Sequence, residues 1–348
     1  MKKMFLLAVV VAFVAFGCGE SPKENSSENS AKASAKPVVN KSDVSKTDAY
    51  FKRLPGAVEQ SGNQLTYNKV NLGKKLYSDV QLSKDRNISC NSCHDLKNYG
   101  VDNLPVSPGD KGENGTRNSP SVYNAALHFA QFWDGREPTV EAQAGGPILN
   151  PVEMNIPSEK FLVDRIKLDG DYQVLFAEAF PDDDDPITFH NITYAIAAFE
   201  RRLFTPGKFD QYINGKADAL TKEEIKGMET FVKTGCTTCH SGSLLGGTMY
   251  QKFGLFDDYW KYTNSKDIDE GRMDVTKNEA DKYVFKVPSL RNIEKTYPYF
   301  HDGSVNDLGE AVKIMAKLEL NKDLSDKDVS EIVTFLNALT GPIPRIAK

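Results

Sequence analysis

Cysteine is scarce in this 348-residue chain, and nearly all of it is committed: four of the five fall in two copies of the pattern Cys-x-x-Cys-His. The fifth, Cys18, stands alone, which excludes a disulfide framework and leaves no thiol for a third metal site. Basic excess is absent, with 43 Lys and Arg against 48 Asp and Glu. A chain of net charge −5 is a poor partner for nucleic acid. The apolar run Phe5 to Phe16 spans twelve residues, too short for a bilayer. Strand signals are sparse, and no acidic cluster of EF-hand type occurs.

The two motifs, Cys90-Asn91-Ser92-Cys93-His94 and Cys236-Thr237-Thr238-Cys239-His240, carry the chemistry. In each, two thiols are spaced to add across the vinyl groups of a haem as thioethers, and the adjoining histidine is placed to bind iron from one face. A zinc knuckle or a redox dithiol also uses Cys-x-x-Cys, but leaves that histidine unexplained. A Cys/His zinc site is the competing reading.

Lys2 and Lys3 followed by the apolar run read as a cleaved signal over residues 1–17, which places the chain in the periplasm or cell envelope. Gly17 before Cys18 resembles a lipobox, which makes Cys18 a lipid anchor to a membrane; ordinary cleavage with a stray thiol is the alternative. Residues 18–47 are polar and, from Gly19 to Lys46, without an aromatic residue, the composition of a flexible tether. Losing Lys2 and Lys3 with the signal takes the net charge from −5 to −7. A mildly acidic protein suits a basic electron donor.

About 300 residues remain, with one motif in each half and 146 positions between Cys90 and Cys236. The fold class expected is mainly α: two cytochrome c-like domains, each with one covalent haem, long loops and few or no strands, over residues 48–205 and 206–348. Ile192, Ala195, Ile196, Phe199 and Leu203 recur at helical spacing within Thr188 to Phe204. Thr221 and Glu224 form a capping box for a helix with Ile225, Met228, Phe231 and Val232 inward, ending at Gly235. Leu308, Ala311, Val312 and Met315 make another stripe. A last helix starts near Ser325, with Gly341-Pro342 as its stop.

Iron with two strong protein ligands only passes electrons, whereas chemistry needs an exchangeable sixth position. The remaining candidates to face His94 and His240 are few: His128, His190, His301, Met154, Met228, Met249, Met273 and Met315. At this point the chain resembles the bacterial dihaem cytochrome c peroxidases. The resemblance rests on Gly115-Thr116-Arg117-Asn118-Ser119-Pro120-Ser121-Val122-Tyr123-Asn124, Ala130-Gln131-Phe132-Trp133-Asp134-Gly135-Arg136 and Pro151-Val152-Glu153-Met154. In the second half it rests on Phe285-Lys286-Val287-Pro288-Ser289-Leu290-Arg291-Asn292 and Tyr297-Pro298-Tyr299-Phe300-His301-Asp302-Gly303.

That resemblance implies unequal haems. The one on Cys90, Cys93 and His94 is the low-potential site where hydrogen peroxide is reduced to water. The one on Cys236, Cys239 and His240 is the high-potential electron store, with Met315 as second axial ligand and Met273 as the competitor. A soft thioether favours ferrous iron and so raises the potential. The resemblance further implies Glu153 as the proton-transferring carboxylate and Gln143 as the amide that orients peroxide. Trp133 is implied as the bridge between haems, and Asn118, Thr296 and Pro298 as a calcium site made of one side-chain oxygen and two carbonyls. A small cytochrome c or a copper protein is the implied donor, and a homodimer is a common family assembly with no interface signature legible here.

One departure concerns the loop Val106-Ser107-Pro108-Gly109-Asp110-Lys111-Gly112. Many members carry there a histidine that caps the low-potential iron, and here Asp110 stands in its place. The expectation is a solvated carboxylate on a mobile, glycine-rich loop and a first haem without a distal histidine; His128 aligns with a non-ligand position. A non-catalytic dihaem electron carrier is the alternative function. A related oxidase type that modifies protein side chains has tyrosine where Met315 stands, which counts against that activity.

Overall fold

The computed structural model describes residues 49–348; the signal run, Cys18 and the tether lie outside them. Nine helices longer than one turn and a two-stranded sheet account for the regular structure among the described residues. They are α1 (Tyr67–Tyr77), α2 (Val140–Leu149), α3 (Glu159–Lys167), α4 (Gly170–Ala179), α5 (Phe189–Glu200), α6 (Lys208–Ile213), α7 (Lys222–Thr234), α8 (Leu308–Leu320) and α9 (Asp326–Asn337). Antiparallel strands β1 (Tyr250–Lys252) and β2 (Val284–Lys286) pair Tyr250 with Lys286 and Lys252 with Val284. No described helix is long and apolar enough to cross a membrane.

Local chemistry explains where the helices start. The Thr188 hydroxyl accepts from Asn191 N at 3.0 Å to cap α5. The expected box on α7 is present in both directions: Glu224 N donates to Thr221 Oγ1 at 3.2 Å, and Thr221 N to Glu224 Oε2 at 2.9 Å. Gly235, at φ 103°, ends α7 in a conformation only glycine adopts without strain. The final helix departs from expectation. Ser325 caps α9 as anticipated, but α9 ends at Asn337, before Gly341. Gly341 serves a chain crossing instead, because a Cβ there would lie 1.9 Å from the Thr205 carbonyl oxygen.

Each half is built on one helix crossing. In the first, α1 packs on α5 so closely that a Cβ on Gly73 would sit 1.8 Å from the Ala195 carbonyl oxygen. In the second, α7 packs on α9 and a Cβ on Gly227 would sit 2.0 Å from the Glu331 carbonyl oxygen. The haem motif follows the first helix of each pair. Around the first crossing lies a core of Leu72, Leu76, Tyr77, Tyr172, Phe176 and Phe199. Around the second lie Phe209, Phe231, Phe335 and Leu336. The two ends of the described residues trade places: Phe51 packs on Phe209 and Phe335 in the second core, at 5.5 and 6.1 Å between ring centroids. Ala347 in turn is buried in the first core.

These crossings yield a direct expectation. Gly73→Ala and Gly227→Ala force helices apart and each lowers unfolding free energy by about 1–3 kcal/mol. Gly170→Ala, where nothing lies within 4 Å, leaves stability unchanged or slightly raised. Denaturant unfolding of the three variants checks this.

Candidate functional site

The second motif leaves α7 directly. Gly235 turns the chain into a 3-10 turn over Cys236–Thr238, and His240 N donates to Cys236 O at 2.9 Å. His240 Nδ1 donates to the Leu245 carbonyl at 2.9 Å, which fixes the tautomer and leaves Nε2 to a metal. Burial lowers the imidazole's proton affinity and keeps the ring neutral. Cys236, Cys239 and His240 line a cavity of about 520 Å³, a volume suited to a large cofactor.

Met315 lines the same cavity from α8. Its helix neighbours Ala311, Ile314 and Leu318 are buried in a core cluster, whereas Met315 is not part of one. Met273 begins a separate helical turn and is not on this wall, while Met249 is a second thioether that is. Trp133 is also on the wall, held at both ends. Its indole N–H donates to the Asn118 carbonyl at 2.8 Å, and its own carbonyl accepts from Lys286 N at 2.7 Å. Two thiols, an imidazole with a free nitrogen, a thioether and apolar walls together fit a haem.

The zinc alternative has no comparable support. Among the described residues, no three His, Cys, Asp or Glu side chains converge on a point that could hold a metal ion. With no metal bound, burial pushes the Cys90 and Cys236 thiols up to about 12.

The first motif is a single helical turn, Cys90–Cys93, in which Ser89 N donates to Ser92 Oγ at 3.0 Å. Tyr77 at the end of α1 donates its hydroxyl proton to the His94 carbonyl at 2.8 Å, tying the motif to the first helix crossing. The His94 ring is buried near the carbonyls of Gly100 and Pro120, and its Nδ1 makes no hydrogen bond. Cys93 lies within the field of Glu153. Burial raises the Glu153 carboxyl above the usual carboxylate range, against the opposing influence of Asn150 and Arg136. Asn150 Nδ2 donates to Glu153 Oε1 at 3.0 Å. Gln143 is on α2, which leads into Asn150, and its half-buried amide makes no hydrogen bond within the protein.

Asp110 overturns the expectation of a solvated residue on a mobile loop. It is 4% exposed. Its Oδ1 accepts from Asp85 N at 2.9 Å and its Oδ2 from Asn155 Nδ2 at 3.2 Å. Asp110 N donates to the Glu153 carbonyl at 2.7 Å, and a Cβ on Gly109 would lie 1.9 Å from Val152 O. The short carboxylate has satisfied local donors, so it latches this loop to the segment bearing Glu153. Both of its carboxylate oxygens are thereby engaged within the protein.

Two segments join the centres. Asn118, Ser119, Pro120 and Ser121 line the second cavity, while the Pro120 carbonyl faces His94. Trp133 lines that cavity too, and three residues on, Arg136 influences Glu153. Asn118, Thr296 and Pro298 all line this cavity. Asn118 Nδ2 donates to the Leu104 and Pro105 carbonyls at 2.9 and 3.3 Å, which leaves its Oδ1 without a protein partner. The Thr296 and Pro298 carbonyls accept no backbone hydrogen bond, so all three oxygens suit a hard cation. His128, by contrast, lines the second cavity and hydrogen-bonds Lys286.

Sequence reading missed Glu200. It lies four positions after Ile196 on the inward stripe of α5, a signal that was available. The carboxyl is buried beside Cys90 and Tyr77. Burial, then repulsion from Glu141, raises it to about 8. Arg201 gives it little relief, being held by Glu141 through two 2.6 Å bonds. The folded state therefore retains a proton that the unfolded chain releases near the ordinary 4.5. Stability falls as pH rises from about 4.5 to 8, by up to about 1.4 kcal/mol per pH unit. Glu200→Gln flattens that slope in denaturant unfolding of the holoprotein; an unchanged slope contradicts the assignment.

Comparison with known proteins agrees with this geometry. A sequence model described as di-haem cytochrome c peroxidase matches residues 67–218. The chain is 46% identical over 275 residues to a cytochrome c551 peroxidase of Nitrosomonas europaea, covering 78% of this chain and 80% of the relative. It is 41% identical over 303 residues to a cytochrome c551 peroxidase of Pseudomonas aeruginosa, covering 86% of each. Among solved structures, a MauG-like protein associated with microbial copper homeostasis superposes with a TM-score of 0.74 at 28% identity, covering 84% of this chain and 96% of that one. With its paired motifs, its unequal centres and these relatives, the chain belongs to the di-haem cytochrome c peroxidase family.

Proposed function

We propose that this protein reduces hydrogen peroxide, taking two electrons and two protons to give two waters. A small cytochrome c or a copper protein supplies the electrons one at a time. Cys236, Cys239, His240 and Met315 would hold the haem that stores them, Cys90, Cys93 and His94 would hold the haem that meets peroxide, and Trp133 would bridge the two. Bound haem supplies redox-active iron, and at the first centre an exchangeable position for peroxide. The observation that carries the reading is the half-buried Glu153 carboxyl, hydrogen-bonded by Asn150, raised by desolvation and close enough to influence Cys93.

A carboxyl whose affinity for a proton is raised by desolvation is suited to carry one, the property needed to convert a peroxide oxygen into departing water. Gln143, unpaired within the protein, orients peroxide by hydrogen bonding. Trp133 is supported as the bridge by its place on the second cavity's wall. Its hydrogen bond to the Asn118 carbonyl starts a covalent path of two residues to Pro120, whose carbonyl faces His94. Asp110, engaged by Asp85 and Asn155, would leave the distal position of a haem held by Cys90, Cys93 and His94 without a carboxylate ligand from this loop. Asn118 Oδ1 with the Thr296 and Pro298 carbonyls would hold calcium, which would brace the wall between the centres. The protein works in the periplasm or cell envelope, tethered by a lipid on Cys18; the apolar run and the residues flanking Cys18 support this.

Turnover of peroxide with a reduced small cytochrome c tests the reading. Glu153→Gln lowers kcat by about 10²- to 10⁴-fold with haem content unchanged. Equal rates for the two proteins leave only the electron carrier. Electron paramagnetic resonance of the oxidised protein shows a high-spin first haem; a wholly low-spin bis-histidine signal contradicts the open site. Chelation of calcium lowers turnover and added calcium restores it, whereas magnesium, which demands stricter octahedral geometry, does not.

A further inference from the structure

Four Lys or Arg side chains are buried among the described residues, and three have evident partners. Arg201 is held by Glu141, Arg291 by Asp210, and Lys69 lies over the Phe180 ring at 4.8 Å. Lys286 is 5% exposed and forms no ion pair. Its amine hydrogen-bonds only to His128 Nδ1, a neutral acceptor. The acid that influences it, Asp134, is occupied by Arg117 and Arg136. Glu319, the acid on the cavity wall, accepts instead from Gly254 N at 2.7 Å and lies near Cys239.

Lys286 and His128 both line the cavity that holds Cys236, Cys239, His240 and Met315. Their placement is built in. Strand β2 and the bond to the Trp133 carbonyl fix Lys286. Phe129 N donates to Gly247 O at 3.0 Å, and a Cβ on Gly247 would come within 3.1 Å of the His128 ring. Burial pushes the amine down to about 7 with only protein around it. An enclosed ammonium needs an anion that this chain does not supply, and an enclosed carboxylate needs a hydrogen-bonded cation. Haem carries two propionates.

We infer that Lys286, with His128 as its hydrogen-bond acceptor, is the counter-cation for a propionate of the haem attached at Cys236 and Cys239. The inference rests on the dihaem reading. The propionate restores the charge on the ammonium, and that charge beside the macrocycle favours the reduced state of a haem that stores electrons. It also places the cation next to Trp133, on the side toward the other centre.

Potentiometric titration of both haems, followed by their visible bands, tests this on the full holoprotein. Lys286→Gln and Lys286→Met lower the midpoint potential of the second haem and leave the first in place, while Lys286→Arg retains the wild-type value. An unmoved second potential, or a shift confined to the first haem, overturns the inference. If neither neutral variant retains the second haem, Lys286→Arg decides: two haems at wild-type potential support the assignment, and loss like that of the neutral variants overturns it. Wild-type haem stoichiometry separates the two levels. Fewer than two haems per chain fails the dihaem reading, whereas two haems with an unmoved second potential fails only this inference.

Discussion

A helix crossing too tight for a methyl group organises each half of the protein. Gly73 lets α1 meet α5 at Ala195, and Gly227 lets α7 meet α9 at Glu331. Close packing without intervening side chains makes both the angle and the depth of each crossing stiff. Since each Cys-x-x-Cys-His motif follows the first helix of its pair, the crossing also determines where each imidazole lies. Tyr77 makes this explicit by reaching from α1 to the His94 carbonyl.

From similar frames the halves diverge through buried charge. The second motif opens into a cavity walled by Met315, Trp133 and apolar side chains, with His240 oriented by the Leu245 carbonyl. The first is bordered by two carboxyls, Glu153 near Cys93 and Glu200 near Cys90. Burial raises both, Glu200 to about 8 and Glu153 above its ordinary value. A polarizable, apolar setting suits storing an electron, and a proton-holding one suits finishing a reduction. The strip from Asn118 to Arg136 couples them, because the residues walling one cavity also face His94 or influence Glu153.

The local features read from residues alone fared according to their range. The capping box at Thr221 and Glu224, the cap at Thr188 and the turn at Gly235 depend on neighbours within four positions, and all three are present. Gly341 looked like a helix stop and is a crossing point against Thr205, a contact 136 positions away in sequence. Asp110 looked like a loop charge, yet its partners Asp85 and Asn155 lie 25 and 45 residues off. The same distance hid Lys286 and His128, 158 positions apart.

By itself the sequence determined the two Cys-x-x-Cys-His motifs, the mainly helical class and the kinship of the chain, because motif spacing, helical period and capping are set by residues close together. Only the tertiary structure decided which groups are buried, and with them the raised carboxyls of Glu153 and Glu200, the latch at Asp110 and the unpaired ammonium of Lys286. Desolvation depends on everything packed around a group, which no short stretch of chain specifies.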